Sequence, residues 1–382
     1  MSVRSRTIYN VEGLFVAPFS GDTSKPNLNN FKILRPIKNI QSIEYNITQE
    51  PLAVSAFGSK STVYQGNTKQ TDVILTFQYV PDGLTNEKRL NFNAYNFSDQ
   101  PNFSMKNAAF SGIDTLEYKD RKDFYVTINS KENDIYKKNI NFDNTFYNPS
   151  SESSIIDQNS KEYGLLHFQN CYLNSYSFSI ARNSLPQVTQ SYSADNIIFY
   201  SSGSGVNYTT LDLKSGINEI KNEKLIIPKS VTGISGLQIL LPGLTNITIA
   251  VEKQSDEVKF QSDFIAAFDF NLQFNRTIQR QINYKFPLGR NIAYPIIGSV
   301  GFGLIVKENL TGSFFNSLNR NTEYNITVDS PKSTNDTLNT KMIFSGCRFS
   351  DIQYSSAINS FKIANLRFNF EQDLSPGLRG LS

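Results

Sequence analysis

The sequence predicts a mainly β protein with an occasional short helix, built as two tandem β domains. Three observations lead there. Apolar side chains recur with a period of two along most of the 382 residues, the spacing of strands that bury one face. Clusters of Pro, Gly, Asn, Asp and Ser separate these runs. The second half of the chain repeats fragments of the first in the same order.

The strands follow in chain order. Ile43, Tyr45 and Ile47 alternate with polar neighbours, and so do Val73, Leu75, Phe77 and Tyr79. Tyr176, Phe178 and Ile180 continue the pattern, as do Ile247, Ile249 and Val251. Phe268, Phe270, Leu272 and Phe274 follow, then Tyr324, Ile326 and Val328, and Leu366, Phe368 and Phe370 close the series. Each run reads as an antiparallel strand with the named residues facing inward. Turn clusters lie at Pro81-Asp82-Gly83, 201–205, Pro242-Gly243 and 331–335. Two short helices are expected at 84–92 and 310–318, each with a Thr at its head.

The repetition sets the domain boundaries. Phe168-Gln-Asn-Cys171 matches Phe344-Ser-Gly-Cys347, and the match runs on through Ser179 with Ser355 and Ala181 with Ala357. Thr127-Ile-Asn-Ser130 matches Thr327-Val-Asp-Ser330, and Leu84-Thr85 matches Leu310-Thr311. The stretch from Ile43 to Gly58 resembles that from Leu272 to Gly289. Gly58, Gly289, Phe168, Cys171, Phe344 and Cys347 therefore mark a tandem duplication. The expected layout is an arm at 1–10, a first β domain at 11–205 and a second at 206–382 with a C-terminal tail. The Ser-Ser-Gly-Ser-Gly run at 201–205 is the natural joint. The first domain is longer, and its polar surplus at about 93–161 reads as an inserted surface loop or hairpin.

Composition narrows the function. Lys and Arg number 37 against 34 Asp and Glu, a net charge of +3. That balance does not suit a protein held to nucleic acid by counterion release, nor a membrane-surface binder. The single histidine, His167, excludes a multi-histidine metal cage and reads as a structural residue in a strand. Cys171 and Cys347 form no Cys-x-x-Cys motif and are expected as small buried hydrophobes. Gly301 and Gly303 lack the third glycine of a dinucleotide loop and suggest close backbone approach by a neighbour or a tight bend. Gly58-Ser-Lys60-Ser61 is at most a fragment of a phosphate loop, and there is no Gly-x-Ser-x-Gly elbow. No catalytic, cofactor or metal site is expected. The polar start, MSVRSRTIYN, has no apolar region behind it, so a soluble protein made in a cytoplasm is expected.

Repeated β domains without visible chemistry leave two classes. One is a structural protein that packs against copies of itself. The other is a carbohydrate- or receptor-binding β-sandwich. Low charge with 29 Phe and 19 Tyr suits broad protein contact, and a chain without Trp suits sugar binding less.

Particular segments point further. The run Val11-Glu-Gly-Leu-Phe-Val-Ala-Pro18 leads to Ile40-Gln-Ser-Ile-Glu-Tyr-Asn-Ile-Thr48, then Glu50-Pro51 and Phe57-Gly58. Val73-Ile-Leu-Thr-Phe-Gln-Tyr79 and Asp82-Gly-Leu-Thr-Asn-Glu87 follow. With 168–186, 268–290 and 344–370, these segments resemble the tail tube, or major tail, proteins of tailed bacteriophages. The resemblance covers most of the chain outside 93–161. At that family's arginine–proline step this chain has Glu50-Pro51 and Arg280-Gln281.

The resemblance implies two tandem tube-like domains, each a small β-sandwich or barrel with a short flanking helix, whose sheets join edge to edge around a ring, with rings stacked into a hollow tube for genome passage. Two such domains per chain imply a ring of three copies with pseudo-sixfold symmetry, or else a hexamer. Implied partners are the protein itself, other tail proteins, a sheath, and genomic DNA as a passing occupant of the lumen. The implied place is the virion tail, assembled in the host cytoplasm. Residues 93–161, the N-terminal arm and the C-terminal tail are the implied inter-ring straps. A terminator, baseplate or distal tail ring of the same fold fits the same resemblance.

Overall fold

The computed structural model describes residues 12–16, 31–33, 35–48, 52–55, 57, 62–66, 72–81, 86–87, 90, 102–104, 122–129, 163–182, 184–200, 207–208, 223–226, 246–251, 257–260, 264–279, 289–293, 295–306, 318–331, 339–356 and 361–372. The expected joint at 201–205, the arm at 1–10, the C-terminal tail and nearly all of the helix at 310–318 lie outside these residues.

The described chain is mainly β, almost without helix. Its strands, in order, open with β1 (Glu12–Val16), β2 (Phe31–Ile33), β3 (Arg35–Pro36), β4 (Ile40–Thr48), β5 (Leu52–Ser55), β6 (Thr62–Gly66) and β7 (Asp72–Tyr79). Then come β8 (Asn102–Ser104), β9 (Lys122–Asn129), β10 (Tyr163–Ala181), β11 (Gln187–Ala194), β12 (Asn196–Tyr200), β13 (Asn207–Tyr208) and β14 (Glu223–Ile226). The rest are β15 (Asn246–Val251), β16 (Glu257–Phe260), β17 (Ile265–Gln273), β18 (Arg276–Gln279), β19 (Gly289–Ile292), β20 (Ile296–Ile305), β21 (Glu323–Pro331), β22 (Asn339–Ser355) and β23 (Ile363–Gln372). Every run of alternating apolar residues named above lies in one of these strands or just beyond its end. Burial gives the reason: Val73, Leu75, Phe77, Tyr79, Ile247, Ile326, Val328, Leu366 and Phe368 are all buried, and a strand puts alternate side chains on one face.

One succession of pairings occurs twice. In the first half β4 pairs β7, β7 pairs β11, β11 pairs β10, β10 pairs β9, and β9 pairs β1. In the second half β17 pairs β20, β20 pairs β23, β23 pairs β22, β22 pairs β21, and β21 pairs β15. All of these ladders are antiparallel. Their irregularities recur as well. The ladder slips between Ile40 and Ser42 and again between Ile265 and Ala267. It slips between Phe168 and Cys171 and between Phe344 and Cys347. It slips between Leu173 and Ser175 and between Phe349 and Asp351.

These bulges let β10 and β22 turn a corner between two packed layers, because an extra residue bends the strand and raises its twist. The start of β10 pairs β9 and β12, and its end pairs β11 and β17. Across the layers Phe124 of β9 packs on Phe77 and Tyr192, with ring centroids 5.6 and 4.7 Å apart. In the second half Phe344 packs on Phe268 and Phe270, at 6.2 and 5.4 Å. Most of these aromatics are buried and join one continuous core.

Some expectations shift. The segment at 93–161 is not wholly an inserted loop, because β9 lies inside it. Phe124, Tyr125 and Val126 are buried, and β9 fills the ladder position between β1 and β10. Of the helix expected at 84–92, a helical turn is described at residues 86–87. The close neighbours of Gly301 and Gly303 are chiefly side chains and not the expected approaching backbone. A methyl group at Gly301 would lie 2.7 Å from the Asp269 carboxylate, and one at Gly303 would lie 3.1 Å from Asn365. No helix among the described residues is long and apolar enough to cross a membrane.

Candidate assembly surface

The Phe-x-x-Cys motifs are corner-bulge motifs. Phe168, Cys171, Phe344 and Cys347 are all buried. Between each pair one residue must take a left-handed backbone conformation. It is Asn170 at φ 49° in β10 and Gly346 at φ 68° in β22. Asn and Gly are the residues that adopt this region most readily. Asp123 accepts a hydrogen bond from the bulged Asn170 amide at 2.9 Å. The Cys171 thiol donates to the Phe168 carbonyl at 3.4 Å. Burial pushes its pKa well up, so it is no ready thiolate. Gly289 opens β19 opposite Gln279, while Gly58 lies outside the described residues.

His167 is buried and stacked on Tyr125, with centroids 4.2 Å apart, and its Nε2 lies 3.5 Å from an Asp123 oxygen. Among the described residues no three His, Cys, Asp or Glu side chains converge as metal ligands.

The two halves meet in a strand-to-strand joint. The end of β10 pairs β17 antiparallel, with Ser175 opposite Gln273, Tyr176 opposite Leu272, Phe178 opposite Phe270 and Ile180 opposite Phe268. Phe270 stacks against Tyr176 and Phe178 at 5.7 and 5.6 Å. The Phe274 amide donates to the carbonyl of Asn174, the residue extruded at the second bulge, at 2.7 Å. Alongside, Arg276 Nε donates to the Leu173 carbonyl at 2.9 Å, and its guanidinium lies over the Tyr172 ring. Arg290 Nε donates to Asp195 at 3.1 Å, a buried ion pair across the joint.

Beneath the same joint lies a buried polar network. The Tyr79 and Tyr176 hydroxyls donate to Glu87 Oε1, Gln190 Nε2 donates to the Tyr79 hydroxyl, and the Tyr192 hydroxyl donates to Gln190. Burial raises the Glu87 carboxyl above its usual range, although the two tyrosine hydrogen bonds oppose that. In the second ladder Leu304, Ile352, Leu366 and Phe368 hold the corresponding positions.

Two further edges match the joint. Among the described strands β4 is hydrogen-bonded on one side only, to β7. On one side of Asp351–Ser355 of β22 lies β23, and no described strand lies along the other. By the repeated bulges, Tyr45 and Ile47 of β4 hold the places of Phe270 and Leu272 in β17. Tyr354 of β22 holds the place of Phe178 in β10. The exposures then separate the two cases. Phe270, Leu272 and Phe178 are 2%, 0% and 4% exposed, while Tyr45, Ile47 and Tyr354 are 47%, 49% and 54% exposed. This corrects the expected burial of Tyr45 and Ile47, not the face they occupy. They sit on the inward face, with Tyr45 touching Phe168 at 5.7 Å, but nothing described covers the strand's outer side.

No protein-family model and no curated protein matches the chain.

Proposed function

We propose that the chain is a virion structural protein whose rings stack into the tail tube of a bacteriophage. Its body in this reading is a tandem duplication of one tube-type β domain. Supporting the duplication, two sets of six strands pair in one succession and slip at the same three places. Both Phe-x-x-Cys segments turn the corner, one with Asn170 and the other with Gly346.

One observation carries the assembly. The chain holds a finished edge-to-edge joint and, at its outer edges, half-exposed copies of the side chains that joint buries. A long strand edge with apolar side chains invites strand addition, and proteins that keep one use it. Two different edges that meet head to tail close a ring when the rotation allows. Three chains then give six β domains around a lumen, through which genomic DNA passes without being held.

Negative-stain electron microscopy of the purified protein, with mass by light scattering, tests the reading. Rings or striated hollow tubes are expected, with a ring mass of three chains. Single unstacked rings favour a terminator, baseplate or distal tail ring. A protein that stays monomeric at every concentration, with or without tail-initiator proteins, and binds a glycan or receptor refutes it.

A further inference from the structure

Resting on the ring-forming reading, we infer a specific joint between copies. Strand β4 of one copy lies antiparallel beside Asp351–Ser355 of β22 in the next, in the register that β17 and β10 adopt within the chain.

The register follows from the bulges. The slips at Ile40/Ser42 and Ile265/Ala267 align β4 with β17. Those at Leu173/Ser175 and Phe349/Asp351 align β22 with β10. Carried across, the internal pairing sets Asp351 opposite Thr48, Ile352 opposite Ile47, Gln353 opposite Asn46, Tyr354 opposite Tyr45 and Ser355 opposite Glu44. Apolar side chains then meet apolar ones on the core face, polar ones meet on the other, and no like charges face each other. A slip of one residue turns Tyr354 onto Glu44 or Asn46 and points its face the wrong way. A slip of two leaves an apolar side chain uncovered at one end. Pairing β4 with a second β4 leaves the β22 edge uncovered.

The joint is testable by cysteine cross-linking in the full chain. Cys171 and Cys347 are buried, so introduced thiols react alone. Asn46→Cys and Gln353→Cys proteins are mixed, oxidised and resolved without reductant. Directly opposite Cβ atoms lie about 4.5–5.5 Å apart and diagonal ones several ångströms further. Cross-linking between positions 46 and 353 is therefore expected at about tenfold the yield of 44 with 353, using Glu44→Cys. Dominant 46–46 or 353–353 products, or equal yield from 44 with 353, overturn the joint. Rings in the microscope without a 46–353 product overturn the joint and leave the ring reading standing. No self-association by microscopy or scattering, with or without tail-initiator proteins, overturns the joint, and glycan or receptor binding by that monomer overturns the ring reading as well. As a second variant, Tyr354→Lys is expected to abolish association with an unchanged circular dichroism melt, and full association by that variant counts against the joint.

Discussion

Gly346 offers a clean test of the corner-bulge account. Its φ is +68°, and a methyl group built there meets nothing within 4 Å. Collision therefore contributes nothing to Gly346→Ala, and the backbone conformation decides the outcome. Holding an ordinary residue in the left-handed region costs about 1–2 kcal/mol. A stiffer unfolded chain returns about 0.4–1 kcal/mol. The net loss is about 1 kcal/mol, or a melting shift of about 2–4 °C for a cooperative unit of ordinary domain size. Gly346→Asn is expected to lose less than half of that, because Asn170 already occupies the corresponding place at φ 49°. Val is the worst of the three, being β-branched. The assay is urea unfolding at low protein concentration, followed by tyrosine fluorescence, since the chain has no Trp. An Asn variant as damaged as the Ala variant, or an Ala variant as stable as wild type, refutes the reasoning.

Three other outcomes are expected. Arg290→Ala leaves Asp195 without its buried guanidinium partner, and urea unfolding should show a loss of about 3–5 kcal/mol. Glu87 is raised mainly by burial, so it binds its proton more tightly folded than unfolded. Its share of stability falls as pH climbs from the ordinary glutamate range toward the folded pKa, and is level above it. Glu87→Gln lacks that fall and should gain on wild type as pH rises; a gap constant from acid to neutral pH refutes the assignment. Gly298→Ala drives a methyl into the Phe370 ring and should cost about 1–3 kcal/mol by overpacking, more than Gly346→Ala in the same assay.

Much of the fold was legible because the period-two pattern marks strands directly. Phe168, Cys171, Phe344 and Cys347 stood out in the sequence as a matching Phe-x-x-Cys pair, but not as flanks of a bulge. The bulge signal sat in the third residue, Asn in one copy and Gly in the other. Registers were not legible, for a physical reason: a shift by an even number of residues leaves every side chain on its face. Thr127 and Thr327 look equivalent, yet Thr127 faces Leu165, three residues before Phe168, while Thr327 faces Ile343, one before Phe344. Ile43 looks like Leu272, yet the ladder bulges place it with Phe268. The exposure of Tyr45 and Ile47 was equally hidden, since it depends on which strand lies alongside and not on local pattern. The polar network around Glu87 joins residues 79 to 192, a distance no periodicity spans.

The covalent link between β10 and β17 carries a thermodynamic consequence. Partners on one chain meet at an effective concentration set by the connection, of order millimolar for a short flexible one. That value does not fall when the solution is thinned. A joint between separate molecules has no such floor and loses translational and rotational freedom each time it forms. If copies join as proposed, two contacts of one geometry obey different mass-action laws. In that assembly, thinning the solution is expected to dissolve the bimolecular contact and leave the unimolecular one intact, so the single chain is the smallest particle that dilution alone yields.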